Sequence, residues 1–126
     1  MPGCFKEEMQ QRTQAFALSS LSLCRFLHGC YELEHVGKQL LRSASSVAAN
    51  IRAAYHAKSS ADFVAKYKLC EEKSVVACFW MDFIIDGNLL EKTDSLSQLR
   101  DEAHAIAALI SKTCITLVTQ PQKTET

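Results

Sequence analysis

Proline is nearly missing from this chain, with two copies at positions 2 and 121, and glycine appears only four times. Nothing between those prolines breaks a helix by ring clash. Net charge is also missing: Lys plus Arg and Asp plus Glu number fourteen each. A strongly basic nucleic-acid binder is thereby excluded, although a local basic patch is not. The longest apolar run, "VVACFWMDFII", is interrupted by Asp82 and is too short to span a bilayer. The first twelve residues are charged and carry no apolar core, so no signal peptide is expected, and the expected location is cytoplasmic.

Paired cysteine spacing is absent too. The six cysteines at 4, 24, 30, 70, 78 and 114 form no C-x-x-C. Reduced thiols acting as small hydrophobes are expected. No metal or other cofactor is expected. The histidines at 28, 35, 56 and 104 make no i, i+4 pair, and H-E-x-x-H is lacking. Glu32 and His35 form one E-x-x-H, but a carboxylate-bridged metal bundle needs a second copy. Glu71 and Glu72 are adjacent and point to different sides of a helix, so they are no catalytic dyad. No catalytic residue is assigned and the chain is read as a non-enzyme.

What is present is helical periodicity, with hydrophobic residues making up 48 % of a chain long enough for one domain. One stripe is Phe5, Met9, Phe16, Ser20, Leu23 and Leu27, with Gly29 as its expected left-handed stop. A second is Leu33, Val36, Leu40, Ala44, Val47, Ile51 and Ala54. A third opens with a capping box at Ser59 and Asp62 and continues through Phe63, Tyr67, Cys70, Ser74, Ala77, Met81 and Ile84, stopping at Gly87. A fourth carries Leu96, Leu99, Ala103, Ile106, Ile110, Thr113 and Leu117. No segment alternates with period two. The expected fold is all-α: an antiparallel up-down-up-down four-helix bundle over residues 1–119, with a polar tail at 120–126. Helices of roughly 24–28 residues would make it about 40 Å long.

Two helices hold more than a core stripe. From Val75 to Ile85 only Asp82 is polar, so apolar residues wrap the third helix all round. Its second face, Val76, Phe79, Trp80 and Phe83, needs another surface and is read as an oligomer interface. The second helix has a small-residue face at Ser43, Ser46, Asn50 and Ala53, where a neighbouring backbone can approach. Asn50 is unfavourable mid-helix, so its amide is expected to be hydrogen-bonded with Ser46 and Asn50 facing a neighbouring helix. The third face, Lys38, Arg42, Ser45, Ala49, Arg52 and His56, is a basic stripe leading to Lys58.

The segment "QLLRSASSVAANIRAAYHAKSSADFVAKYKLCEEKSVVACFWMDFI" resembles the core signature of the four helix bundle proteins also called the 23S rRNA-intervening sequence protein family. That signature reads roughly R-S-[AG]-x-S-[IV]-x-A-N-[IV], then S-x-x-D-F, then an aromatic–Trp pair. Its counterparts here are Arg42, Ser43, Ala44, Ser46, Val47, Ala49, Asn50 and Ile51, then Ser59, Asp62 and Phe63, then Phe79 and Trp80. The resemblance implies an antiparallel four-helix subunit that forms a ring-like homopentamer, with no known catalytic residue or cofactor. It implies a bacterial protein. A related group serves as the accessory protein of diversity-generating retroelements and binds nucleic acid and a reverse transcriptase. The chain departs from the pattern where members carry carboxylates: Ala53, Lys73, Val75, Val76 and Cys78 stand there instead. The expected function is thus a non-enzymatic homo-oligomer that binds RNA or other nucleic acid through Lys38, Arg42, Arg52, His56 and Lys58. The alternative is a protein-interaction scaffold or accessory subunit for a partner enzyme such as a reverse transcriptase.

Overall fold

The computed structural model describes residues 4–119. It contains four α-helices, α1 (Phe5–Cys24), α2 (Tyr31–Ala54), α3 (Ser60–Asp86) and α4 (Asp94–Thr119), and no strand among the described residues. The tail at 120–126 lies outside them. The connections, 25–30, 55–59 and 87–93, are short, so sequential helices run antiparallel and pack side by side. Helix α2 packs along both α1 and α3, and α4 along α3, while α1 and α4 meet only briefly. The bundle is therefore closed on three seams and loose on the fourth.

The periodic stripes form the core except at Phe5, expected in the first stripe but 41 % exposed. Val36, Leu40, Ala44, Val47, Ile51 and Ala54 of α2 are all buried, as are Tyr67, Cys70, Ser74, Ala77, Met81 and Ile84 of α3. Each large member stabilises the fold by about 1.5–3 kcal/mol relative to an exposed position. In α1 the stripe gains Thr13, which is fully buried and satisfies its hydroxyl by donating to the Met9 carbonyl at 2.7 Å. In α4 the expected Thr113 is only half-buried, and Cys114 takes the core position beside it.

Helix ends follow local chemistry, with four departures from expectation. The Ser59 hydroxyl accepts from the Asp62 amide at 3.1 Å, and the Asp62 carboxylate accepts from the Lys58 amide, so the cap reaches one residue further back than a capping box. Thr93 caps α4 by accepting from the Leu96 amide at 3.1 Å. Helix α1 has 20 residues, fewer than expected, because the chain tightens into turns at Arg25, Phe26 and Leu27. Gly29 does adopt positive φ, at 104°, but within the connection rather than at the helix end. After α3 the left-handed residue is Asn88, with φ 54°, while Gly87 stays right-handed. Asparagine tolerates that region nearly as well as glycine.

Candidate functional site

On α2, Lys38, Arg42 and Arg52 are exposed along one face, while exposed His56, expected on the same helix, lies with exposed Lys58 in the connection after its end at Ala54. The stripe has two parts. Lys38 and Arg42 sit one turn apart and meet no carboxylate among the described residues. Arg52 leans toward α1, where its guanidinium donates to the Gln14 side-chain oxygen at 3.0 Å. It lines a shallow pocket of about 340 Å³ with Gln10, Gln14, Ala48 and Ala49. On α3, Lys66 is engaged by Asp62 at 2.6 Å, and that pairing, ahead of the Lys58 amide, holds the Asp62 carboxyl below its ordinary range.

Extending the α2 stripe upstream by its own step of three or four reaches His35 and Tyr31, which sequence reading had left out. Tyr31 stacks on His35 with centroids 6.0 Å apart, and His35 meets Trp80 of α3 edge-on at 5.9 Å. Trp80 in turn packs against Phe79 at 4.9 Å and Phe83 at 5.6 Å. The result is an aromatic band crossing from α2 to α3 beside Lys38 and Arg42. Its outer members are exposed: Tyr31 by 78 %, Phe79 by 53 % and Phe83 by 45 %. Val76 is exposed as well, while Trp80 is half-buried.

Ser46 and Asn50 are both half-buried. The Asn50 amide donates to the Ser46 carbonyl at 2.8 Å and to the Ser46 hydroxyl at 3.1 Å, so its hydrogen bonds stay within α2. That local bonding supplies a reason for asparagine mid-helix.

The opposite seam holds a second surface. Between α1 and α4 a groove of about 770 Å³ is lined by apolar Leu23, Phe26, Leu90, Leu96 and Leu99, with Ser19, Ser22, Gln98 and Glu102 among its polar members. Arg12 bridges this seam, donating to both Glu102 oxygens at 3.0 and 2.6 Å, a forked pairing that raises the guanidinium pKa. Sequence pattern carries no signal for such a pair, since residues ninety positions apart meet only through the fold.

Among the described residues no group of three or more His, Cys, Asp or Glu is placed to hold a metal ion. His104 of α4 meets Asp82 of α3 at 3.0 Å in an exposed contact that ties the two helices. All six cysteines are free thiols. Burial pushes Cys70 up to about 12 and Cys78 up to about 11, which leaves both as unreactive thiols. The Tyr55 and Tyr67 hydroxyls bond each other at 2.9 Å, and burial raises the pKa of each. No helix among the described residues is long and apolar enough to cross a membrane.

No functionally curated protein matches the sequence. Among solved structures, the chain is similar to a protein of unknown function from the S23 ribosomal protein family of Bacteroides thetaiotaomicron. The two share 24 % identity with a TM-score of 0.77, over 87 % of this chain and 97 % of that one. At that identity the likeness speaks for the four-helix fold alone. The model of the 23S rRNA-intervening sequence protein family matches residues 6–112, from the first turn of α1 through most of α4. The chain belongs to the 23S rRNA-intervening sequence protein family.

Proposed function

We propose that the protein is a non-enzymatic subunit that assembles with copies of itself, into a homopentamer as the family resemblance implies, and that the assembly binds RNA or another nucleic acid along α2. The observation that carries this reading is the exposed apolar face of α3. Phe79, Phe83, Val75 and Val76 gain the folded chain little where they stand, because water reaches 39 to 60 % of each. Covering them in a subunit contact would turn that surface into association energy. Lys38 and Arg42 lie beside the same face with no carboxylate partner, and a symmetric assembly repeats such a pair on every subunit. Modest local charge then becomes avidity. Phosphate contact of this kind rests on counterion release, so it weakens steeply with salt.

Light scattering over a range of concentrations tests assembly: a mass fixed at the single-chain 14.0 kDa would overturn it. Fluorescence anisotropy with a labelled single-stranded RNA at two salt concentrations tests binding. The expected result is binding at low salt, lost at high salt, and weakened in an Arg42→Glu, Arg52→Glu variant of unchanged mass. An assembly that binds no RNA at low salt leaves the scaffold reading, in which the same surfaces meet a partner enzyme such as a reverse transcriptase.

A further inference from the structure

The outer line of α2 carries two kinds of side chain. Tyr31, His35, Lys38 and Arg42 follow one another at steps of four, three and four, which add to almost three helical turns. All four therefore stand in one narrow arc, on a line about 16 Å long, and all four are exposed. The aromatic pair holds one end and the cationic pair the other. We infer that this line binds unpaired nucleic-acid strands, with bases stacked on Tyr31 and His35 and neighbouring phosphates held by Lys38 and Arg42. This inference rests on the nucleic-acid reading above and names the form of nucleic acid that the site takes.

Three observations support the assignment. First, the aromatic end is open yet held in place. Tyr31 keeps 78 % of its surface in water, and the one ring it meets among the described residues is His35, at 6.0 Å and an interplanar angle of 21°. His35 in turn is held edge-on by half-buried Trp80 at 5.9 Å. Two near-parallel rings fixed from behind extend to a stacked base with little further ordering. Second, the cationic end is free to meet phosphate. Lys38 and Arg42 have no carboxylate partner among the described residues, whereas Arg12 is paired with Glu102 and Lys66 with Asp62. Third, the acidic groups decide which end takes which part of a strand. Glu32 and Glu34 stand in the first turn of α2 on either side of Tyr31, Glu32 turned about 100° away round the helix and Glu34 on the side that Arg52 takes toward α1. They oppose phosphate at that end and leave an uncharged base unopposed. A duplex fits such a line poorly, because its bases are already stacked on each other and paired. Its phosphates nevertheless release more counterion per contact than those of a single strand, so a site made of charge alone would hold the duplex at least as well. Preference between the two forms therefore separates stacking from charge.

The test is fluorescence anisotropy on the full chain with three labelled probes: a single strand of mixed sequence, the duplex made from it, and an abasic strand of equal length. The single strand is run as RNA and as DNA, because a stacked base is common to both, and binding of either in the pattern below supports the inference. The single strand is expected to bind more tightly than the duplex and the abasic strand. Tyr31→Ala should weaken single-strand binding by about fivefold to a hundredfold. The loss should be the same at every salt concentration, because no charge is removed, while Arg42→Gln should lower the salt dependence itself. Tyr31→Phe should restore wild-type binding, and the abasic strand should not distinguish Tyr31→Ala from wild type. Circular dichroism and light scattering check fold and mass, and Tyr31→Gln serves where Tyr31→Ala alters either. A wild type that holds the duplex as tightly as the single strand overturns stacking and leaves binding by charge standing. So does a Tyr31→Ala variant that binds the single strand as wild type does. A wild type that binds no probe at low salt overturns the nucleic-acid reading and this inference with it.

Discussion

Truncating Phe79 and Phe83 to alanine should weaken association far more than it weakens the fold. The two rings are exposed by 53 % and 45 % in the single chain. A buried phenylalanine removes about 150–250 Å² from water, so the two together leave about 200 Å² to be covered by a partner. At about 25 cal/mol per Å² that is about 5 kcal/mol per contact, an upper figure before ordering costs. A factor of ten costs about 1.4 kcal/mol, so the dissociation constant should rise by about three decades. The folded chain loses less. The buried sides of these rings rest on each other and on Trp80, their neighbours along the same helix. Contacts at that spacing are worth about 0.2–0.5 kcal/mol per pair. Sedimentation equilibrium from nanomolar to micromolar protein gives the dissociation constant, and thermal melting of diluted, dissociated chains gives the fold. An unchanged mass profile with a lowered melting temperature would refute the reasoning, since the rings would then serve the fold and not a partner.

Four further outcomes follow from particular contacts. At Gly37 an added Cβ would lie 3.1 Å from the Leu27 Cβ and 3.2 Å from the Cys24 sulfur, so the α1–α2 crossing must yield slightly. The helical gain of Gly37→Ala, about 1 kcal/mol, is then offset by about 1–3 kcal/mol of overpacking, and melting should show net loss or no gain, with Cys24→Ala restoring it. Arg12→Met should cost about 1 kcal/mol by denaturant titration, and a double-mutant cycle with Glu102→Gln should assign most of it to their pairing. Asp62 is held below its ordinary pKa first by its Lys66 bond, so it supports the fold above the unfolded-state value of 3.8 and loses that support as pH falls further. Asp62→Asn should flatten the acid side of the melting curve below about pH 4, checked by calorimetry across that range. A thiol reagent should modify exposed Cys4 and Cys30 within minutes and reach Cys70, Cys78 and Cys114 only on unfolding, read by mass spectrometry.

Local pattern carried the helices because a core stripe is a property of one segment. The α2 positions from Val36 to Ala54 and the α3 positions from Tyr67 to Ile84 could be read off their spacing and are buried as read. The α4 stripe slipped at one place, Cys114 for Thr113, since a small thiol and a small hydroxyl at adjacent positions differ little in periodicity. The polar one stays only partly buried and donates to the Leu109 carbonyl at 2.8 Å. Turns were harder, because the left-handed position after α3 depends on where the last hydrogen bonds close. The Leu89 amide bonds the Ile84 carbonyl at 3.0 Å, which puts Asn88, not Gly87, at the reversal. Contacts between helices were not legible at all. Arg12 with Glu102, Arg52 with Gln14, and His104 with Asp82 depend on which faces two helices turn to each other. The basic stripe was legible as a set of positions, but not that Arg52 leans toward α1 while Lys38 and Arg42 stay unpaired by carboxylates.

The placement of the departures from the family pattern adds a last step. Of the five positions where a carboxylate is usual, Cys78 is in the core and Ala53 and Lys73 are half-buried. Val75 and Val76 remain, exposed by 60 % and 39 % beside Phe79. A valine in water on a helix gains nothing over glutamate for the single chain; its β-branch even lowers helix propensity slightly. Val75, the more exposed, therefore has no folding reason to be apolar, whereas Val76, with more than half of its surface covered, has part of one. Together they widen the aromatic face by one turn toward the middle of α3, and they remove charges that would repel an apolar partner surface. Replacing them with glutamate separates the two explanations. Val75→Glu and Val76→Glu should leave the melting temperature of the dissociated chain unchanged or slightly higher, while the assembled mass falls. If assembly survives both substitutions, the face that meets a partner ends at Phe79, and the valines are incidental to it.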